Sequence, residues 1–196
     1  MKGPLSLALA LLAALSIGTP VRAQGDDPAA LAASCDQGEL GACVTLGRRH
    51  AAAAAYPEAI SRFRHACEQG EMSGCHEVAP FYLLGIGGVA ANEAFSVQLY
   101  QLACERDYGP SCTELGRITI TGAGVPQDDL AALLLFQKGC KLKDGAGCTE
   151  LGDRYYKGEA GAPQDNIAAF GWFADGCGKG DPQGCIMAEK LKTGAE

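Results

Sequence analysis

Apolar and small residues return along this chain at helical spacing, and the same arrangement recurs several times. At offsets 3 and 4 after a cysteine stand Leu46-Gly47, Val78-Ala79, Leu115-Gly116 and Leu151-Gly152, with Tyr82 and Tyr155 at offset 7. Offsets of 3, 4 and 7 fall on one face of an α-helix. A second set runs the other way from another cysteine: Phe63, Tyr100, Phe136 and Phe173 stand four residues before it, and Ala66, Ala103, Gly139 and Gly176 directly before it. The pattern predicts ten helices, over 28–37, 41–54, 57–69, 73–84, 92–106, 110–121, 128–143, 146–157, 165–178 and 182–193. No segment alternates as a strand would.

The breaks between these stretches carry their own signals. "GVAAN", "GVPQD" and "GAPQD" at 88–92, 124–128 and 161–165 end one helix with glycine or proline. They then place Asn92, Asp128 and Asp165 where the next helix needs an N-cap. Pro57 suits a first helical turn. Pro80 falls inside the predicted helix 73–84, where it removes one backbone bond and is expected to kink the helix.

The cysteines sharpen the period. They come as Cys35 and Cys43, Cys67 and Cys75, Cys104 and Cys112, Cys140 and Cys148, Cys177 and Cys185. Every pair is eight apart, and successive pairs are displaced by 32, 37, 36 and 37 residues. A period in the mid-thirties is the size of one helical hairpin. In one unbroken helix, residues eight apart lie about 12 Å from each other, whereas a disulfide needs Cα atoms within about 7 Å. A bridge therefore requires the chain to reverse between the two cysteines. In "CEQGEMSGC", Gly70 is a natural helix C-cap and Ser73 a natural N-cap for the next helix, and Gly38 and Gly180 occupy the place of Gly70 in other pairs. Each pair then straddles the turn between one hairpin and the next, and five local disulfides are expected. Metal ligation fits the spacing less well, because zinc favours close C-x-x-C pairs completed by further ligands, and no two of His50, His65 and His76 stand at ligand spacing. Redox chemistry would favour C-x-x-C, which the chain lacks.

Ten cysteines in 196 residues point to an oxidising compartment, and the first residues agree. Lys2 is followed by an uncharged apolar run from Leu5 to Ile17, too short for a bilayer span of about 20 residues. Val21 and Ala23 then fit a signal-peptidase site. The expectation is a signal peptide over 1–23, a domain over 24–196, a secreted or periplasmic location and no membrane span. Losing Lys2 and Arg22 takes the formal charge from −7 to about −9, and an acidic surface repels phosphate backbones, so nucleic acid is not an expected partner.

These motifs are similar to those of the Sel-one-like repeat, a tetratricopeptide-type hairpin. "GCTELGDRYYKGEAGAPQDNIAAFGWFADGCGKGDPQGC" carries the leucine-glycine, tyrosine, glycine-rich loop, acidic cap, aromatic and cysteine positions. The C-x7-C pairs further resemble the bacterial cysteine-rich Hcp-type proteins. The resemblance implies an all-α, disulfide-stapled α/α solenoid of about four full repeats with a half-repeat at each end, each disulfide joining adjacent antiparallel helices. It also implies an adaptor that binds a protein or peptide on its concave face, with no cofactor. The alternative is a penicillin-binding protein with weak β-lactamase activity acting on β-lactams or cell-wall peptide. Distant mitochondrial relatives are linked to haem.

The sequence adds little to the enzymatic alternative. S-x-x-K, S-D-N and G-x-S-x-G are missing, and "KTG" at 192–194 stands alone near the C-terminus. "GAGVPQD" lacks the lysine of a phosphate loop. His65 and His76 flank the second cysteine pair without further ligands in register. For a binding face, positions 1, 5 and 8 after the second cysteine share one helical stripe: Val44, Arg48 and Ala51; His76, Pro80 and Leu83; Thr113, Arg117 and Ile120; Thr149, Asp153 and Tyr156. By analogy with tetratricopeptide repeats this stripe lines the concave face, and its Arg, Tyr, Leu and Ile are the side chains that commonly anchor a peptide.

Overall fold

The computed structural model describes residues 27–194; the expected signal peptide lies outside them. The described residues form ten α-helices: α1 (Pro28–Asp36), α2 (Leu40–Ala52), α3 (Tyr56–Glu68), α4 (Met72–Leu84), α5 (Glu93–Glu105), α6 (Gly109–Thr121), α7 (Asp129–Lys141), α8 (Gly145–Lys157), α9 (Asn166–Gly178) and α10 (Pro182–Thr193). Each predicted helix is present, with ends within two residues of the expectation. None is long and apolar enough to cross a membrane.

The helices pair as hairpins α2–α3, α4–α5, α6–α7 and α8–α9, with α1 and α10 as single helices at the ends. In the following, the first helix of a hairpin is an A-helix and the second a B-helix; α10 is an A-helix by register and α1 a B-helix. The two repeating residue sets meet inside each hairpin. The B-helix aromatic packs on the glycine of the A-helix, so that a Cβ added at Gly47, Gly116 or Gly152 would come within 2.6 Å of Phe63, Phe136 or Phe173. In α4–α5 the pair is Ala79 and Tyr100, both buried. The absence of a side chain on one helix is what lets the ring of the other fill the gap at crystal-like density.

Hairpins follow one another through tight turns, and a disulfide spans each turn. Cys35–Cys43 joins α1 to α2, Cys67–Cys75 joins α3 to α4, and Cys104–Cys112 joins α5 to α6. Cys140–Cys148 joins α7 to α8, and Cys177–Cys185 joins α9 to α10. The Cα atoms of each pair lie 4.5–4.7 Å apart, well inside the reach of a bridge. Third after the first cysteine stands a residue with left-handed backbone: Gly38, Gly70, Asp107, Lys143 and Gly180. The next amide then bonds back five residues, as from Glu71 N–H to the Ala66 carbonyl, which is a Schellman closure. The expected caps need one correction here. Gly70 lies one place beyond the C-cap Gln69, and Glu71, not Ser73, is the N-cap of α4. Ser73 sits one turn position later and donates both its amide and its hydroxyl to the Glu71 carboxylate. A longer acidic side chain can reach back from the turn, so serine is free to be inside the helix.

Within hairpins, Asn92, Asp128 and Asp165 cap α5, α7 and α9 as expected, accepting amides at 2.9–3.0 Å. Pro57 lies in the first turn of α3. Pro80 lies within α4, which continues unbroken to Leu84 even though residue 80 has no amide to offer the His76 carbonyl.

The A-helices α6 and α8, α8 and α10, and to a lesser extent α2 and α4 approach one another, whereas successive B-helices stand further apart. A stack whose A-row is tighter than its B-row bends toward the A-row, so the A-helices line the inner face and the B-helices the outer one.

Candidate functional site

The candidate site is the inner face, and its three residue positions behave differently. The position directly after the second cysteine points into the seam between hairpins. Val44, Thr113 and Thr149 are buried. The Thr113 hydroxyl donates to the Asp144 carboxylate, and the Thr149 hydroxyl to Asp181. Gly139 and Gly147 leave the space that the Thr113 hydroxyl occupies, and Gly176 and Gly184 do the same for Thr149. Thr113 and Thr149 therefore serve the seam and do not face a partner. The expectation for them is corrected because the next A-helix covers that stripe.

His76 takes the same position in the seam between α4–α5 and α6. Its ring lies 5.6 Å from that of Tyr100 and 5.3 Å from that of Tyr108, and its Nδ1 is 3.1 Å from the Ser111 hydroxyl. Burial lowers its pKa against the opposing pull of Glu77, Glu114 and Asp144, with Arg48 adding to the lowering. Burial likewise raises the pKa of Tyr100 and Tyr108. A serine beside a histidine is the beginning of a nucleophile–base pair. Here Ser111 is fully buried, so its oxygen has no path to an acyl substrate.

At the fifth position Arg48 and Arg117 are exposed, and Pro80 and Asp153 are half-buried. Arg48 reaches the next repeat to pair with Glu77 at 2.7 Å. Arg117 bonds Glu114 on its own helix and Glu150 on the next repeat. Burial pulls the Arg117 pKa down, but hydrogen bonds and charge from Glu150 and Glu114 raise it overall, so the guanidinium stays charged. Pro80 interrupts this run, since it carries no charge to offer Glu114. Asp153 ends it: burial and Glu150 raise its pKa while Lys157 and Arg154 lower it. Arg154 is held by Glu150 and Glu159. The eighth position offers Leu83, Ile120 and Tyr156, all half-buried.

The acidic partners Glu77, Glu114, Glu150, Asp144 and Asp181 were not singled out from the sequence. A signal existed: a glutamate two residues after the second cysteine recurs in three repeats, and a polar residue four before it recurs as Tyr108, Asp144 and Asp181.

The sulfurs hold shape and belong to the seams rather than to the inner face. Cys75, Cys104 and Cys112 are buried, and Cys67, Cys177 and Cys185 are half-buried. Their bridges, Cys67–Cys75, Cys104–Cys112 and Cys177–Cys185, act on function only by fixing how one hairpin follows another. The other two bridges have neighbours that resemble metal ligands. Cys35–Cys43 lies beside His65, and Cys140–Cys148 beside Asp175, which brings three donor-type groups together in each place. In both, the two sulfurs are joined to each other, and a thiolate ligand requires a free one.

Three consecutive hairpin units, residues 73–108, 109–144 and 145–181, match the Sel1 repeat family model. This chain belongs to the Sel1 repeat family. Among solved structures, a Sel1 repeat protein from Oxalobacter formigenes is 23% identical, with a TM-score of 0.74 over 86% of this chain and 68% of that one. The Helicobacter pylori cysteine-rich protein B is 30% identical, with a TM-score of 0.53 over 66% of this chain and 92% of that one. No curated protein matches the chain. The α4–α9 units of this Sel1 repeat protein are thus typical in register, and the matched segments begin close to the A-helices that open each hairpin.

Proposed function

We propose that this Sel1 repeat protein is an exported scaffold that binds an extended protein or peptide segment along its inner face. The observation that carries the reading is the row of Arg48–Glu77 and Glu114–Arg117–Glu150, flanked by the half-buried Leu83, Ile120 and Tyr156. Charged groups spaced one repeat apart, with apolar side chains beside them, suit a ligand that runs across the repeats and offers main-chain and side-chain contacts in turn. Five disulfides support export, because such bridges persist in oxidising compartments. Non-reduced mass spectrometry of the secreted form tests both points: it should begin at Gln24 and weigh about 10 Da less than the reduced form, two hydrogens per bridge.

The binding claim is tested by capture from periplasmic extract with wild type and the R48A/R117A/Y156A variant. A partner retained by the first and lost from the second supports the inner face. Equal retention by both overturns it. The β-lactamase alternative rests on family resemblance, and a chromogenic β-lactam assay decides it: turnover that survives purification and disappears with one hydroxyl variant would replace the scaffold reading.

A further inference from the structure

Because the B-helices stand apart, clefts open between them on the outer face, and these clefts differ along the molecule. Along α3 a cleft is lined by Pro57, Ile60, Ser61 and Arg64, with His65 and Glu68. The same register on α5 holds Ala94, Val97, Gln98 and Gln101. On α7 it holds Leu130, Leu133, Leu134 and Gln137, which with Leu151, Tyr155 and Trp172 line a cleft of about 380 Å³. The far wall changes in step: Tyr155 stands where the preceding repeat has Thr119, and Trp172 where it has Leu135. Leu130 and Leu134 are 65% and 67% exposed. The apolar surface continues onto α9, where Ile167 and Phe170 are exposed and face Leu191 of α10. The hairpin fold does not require leucine at the exposed places of Leu130 and Leu134, since α3 has Pro57 and Ser61 there and α5 has Ala94 and Gln98.

The charge around the cleft selects the occupant. Asp128 and Asp129 directly precede Leu130, and Asp165 precedes Asn166 and Ile167. Glu159 belongs to the connector whose Gly161 lies against Leu130. Arg154 is held by Glu150 and Glu159, and Lys192 at the α9–α10 end of this surface pairs with Glu189, whereas Asp128, Asp129 and Asp165 form no ion pair among the described residues. The whole chain carries a formal charge of −7, so a second copy is repelled and a cationic segment is drawn in.

We propose that the α7–α9 cleft is a second docking site, separate from the inner face, which takes a basic amphipathic peptide segment by its bulky apolar side chains. Apolar anchors fill the space between Leu134 and Trp172, and the lysine or arginine side chains of the segment meet Asp128, Asp129 and Asp165. The chain's only tryptophan stands in the wall, so its fluorescence reports occupancy directly.

The test titrates the full oxidised protein with a synthetic leucine–lysine amphipathic helical peptide of about 18 residues and with its leucine–glutamate counterpart. The lysine peptide should shift Trp172 emission saturably, bind about tenfold or more tighter than the glutamate peptide, and weaken as salt rises. L134E and L130E, at exposed positions and checked for unchanged helical circular dichroism, should each weaken it about tenfold or more. Equal binding of the two peptides overturns the proposal. So does lysine-peptide binding that L134E leaves unchanged, and so does sedimentation showing a wild-type dimer that L134E dissolves, which would make a second copy the occupant.

Discussion

The seams before α6, α8 and α10 are built in two different ways. At the C-terminal seams, before α8 and before α10, a buried threonine hydroxyl is bonded to an aspartate and enclosed by two glycines. At the middle seam, before α6, His76 lies between two tyrosine rings and a buried serine, and Ala103 and Ser111 stand where the others have glycine. The glycines of the threonine seams are required by distance: a Cβ at Gly147 would lie 2.8 Å from the Cys140 amide nitrogen and 2.9 Å from the Phe136 carbonyl. Ser111 shows that the middle seam accepts that Cβ, so its helices are held further apart, with aromatic rings as the filler. The staple is the same in both, Cys104–Cys112 at the middle seam and Cys140–Cys148 and Cys177–Cys185 at the C-terminal ones. One staple thus supports two interiors, one set by backbone proximity and one by side-chain volume.

The most direct way to break the contrast is G147A. Its new methyl meets backbone on two sides, so it should cost about 3 kcal/mol of stability in chemical denaturation. S111G at the equivalent middle position should cost less, since it adds no clash. Next, T149V removes the hydroxyl that Asp181 accepts and should destabilise by about 1–2 kcal/mol. If T149V were neutral, the hydroxyl–carboxylate contact would not be what fixes the C-terminal seam.

Acid should separate the two kinds by location. The His76 pKa is lowered in the fold, so the neutral ring is the folded form. Its contribution is complete above the unfolded histidine value of about 6.5 and is lost as pH falls through the lower folded value. Native-state hydrogen exchange should therefore show protection in α5 and α6 falling on mild acidification before that in α8 and α9. H76T/A103G/Y108D/S111G, which rebuilds the middle seam in the threonine–aspartate form with its two glycines, should remove the difference.

The smallest effect concerns the turns. Lys143 and Asp107 hold left-handed backbone where three other seams have glycine. K143G should stabilise by a few tenths to about 1 kcal/mol, the relief of left-handed strain less the extra entropy of glycine. D107G should gain less, because aspartate tolerates that conformation and Asp107 also pairs with Lys138.

Much of the hairpin structure was legible because its causes are local. Asn92, Asp128 and Asp165 cap the helices that follow them within three residues. The cysteine spacing excludes a straight helix and demands a turn. The aromatic and glycine positions were visible as recurrences, though their meeting was not. The inner face was legible only in part. Helical offsets place Thr113, Arg117 and Ile120 on one stripe, but they do not say how far the next repeat overlaps that stripe. The overlap buries Thr113 and Thr149 and leaves Arg48 and Arg117 exposed. Ser73 was misplaced as a cap because glutamate at residue 71 can reach the same amide from further away.

The sequence by itself determined ten helices, their caps, their stapled turns and the period that makes a solenoid, since each depends on groups within a few residues of one another. The tertiary structure decided which side of an A-helix is seam and which is surface, and that the leucines of α7 line an open cleft. Those outcomes depend on the angle between successive hairpins. That angle arises from contacts such as Gly147 on the α7 backbone and His76 on Tyr108, made between residues of adjoining helices that no local pattern pairs.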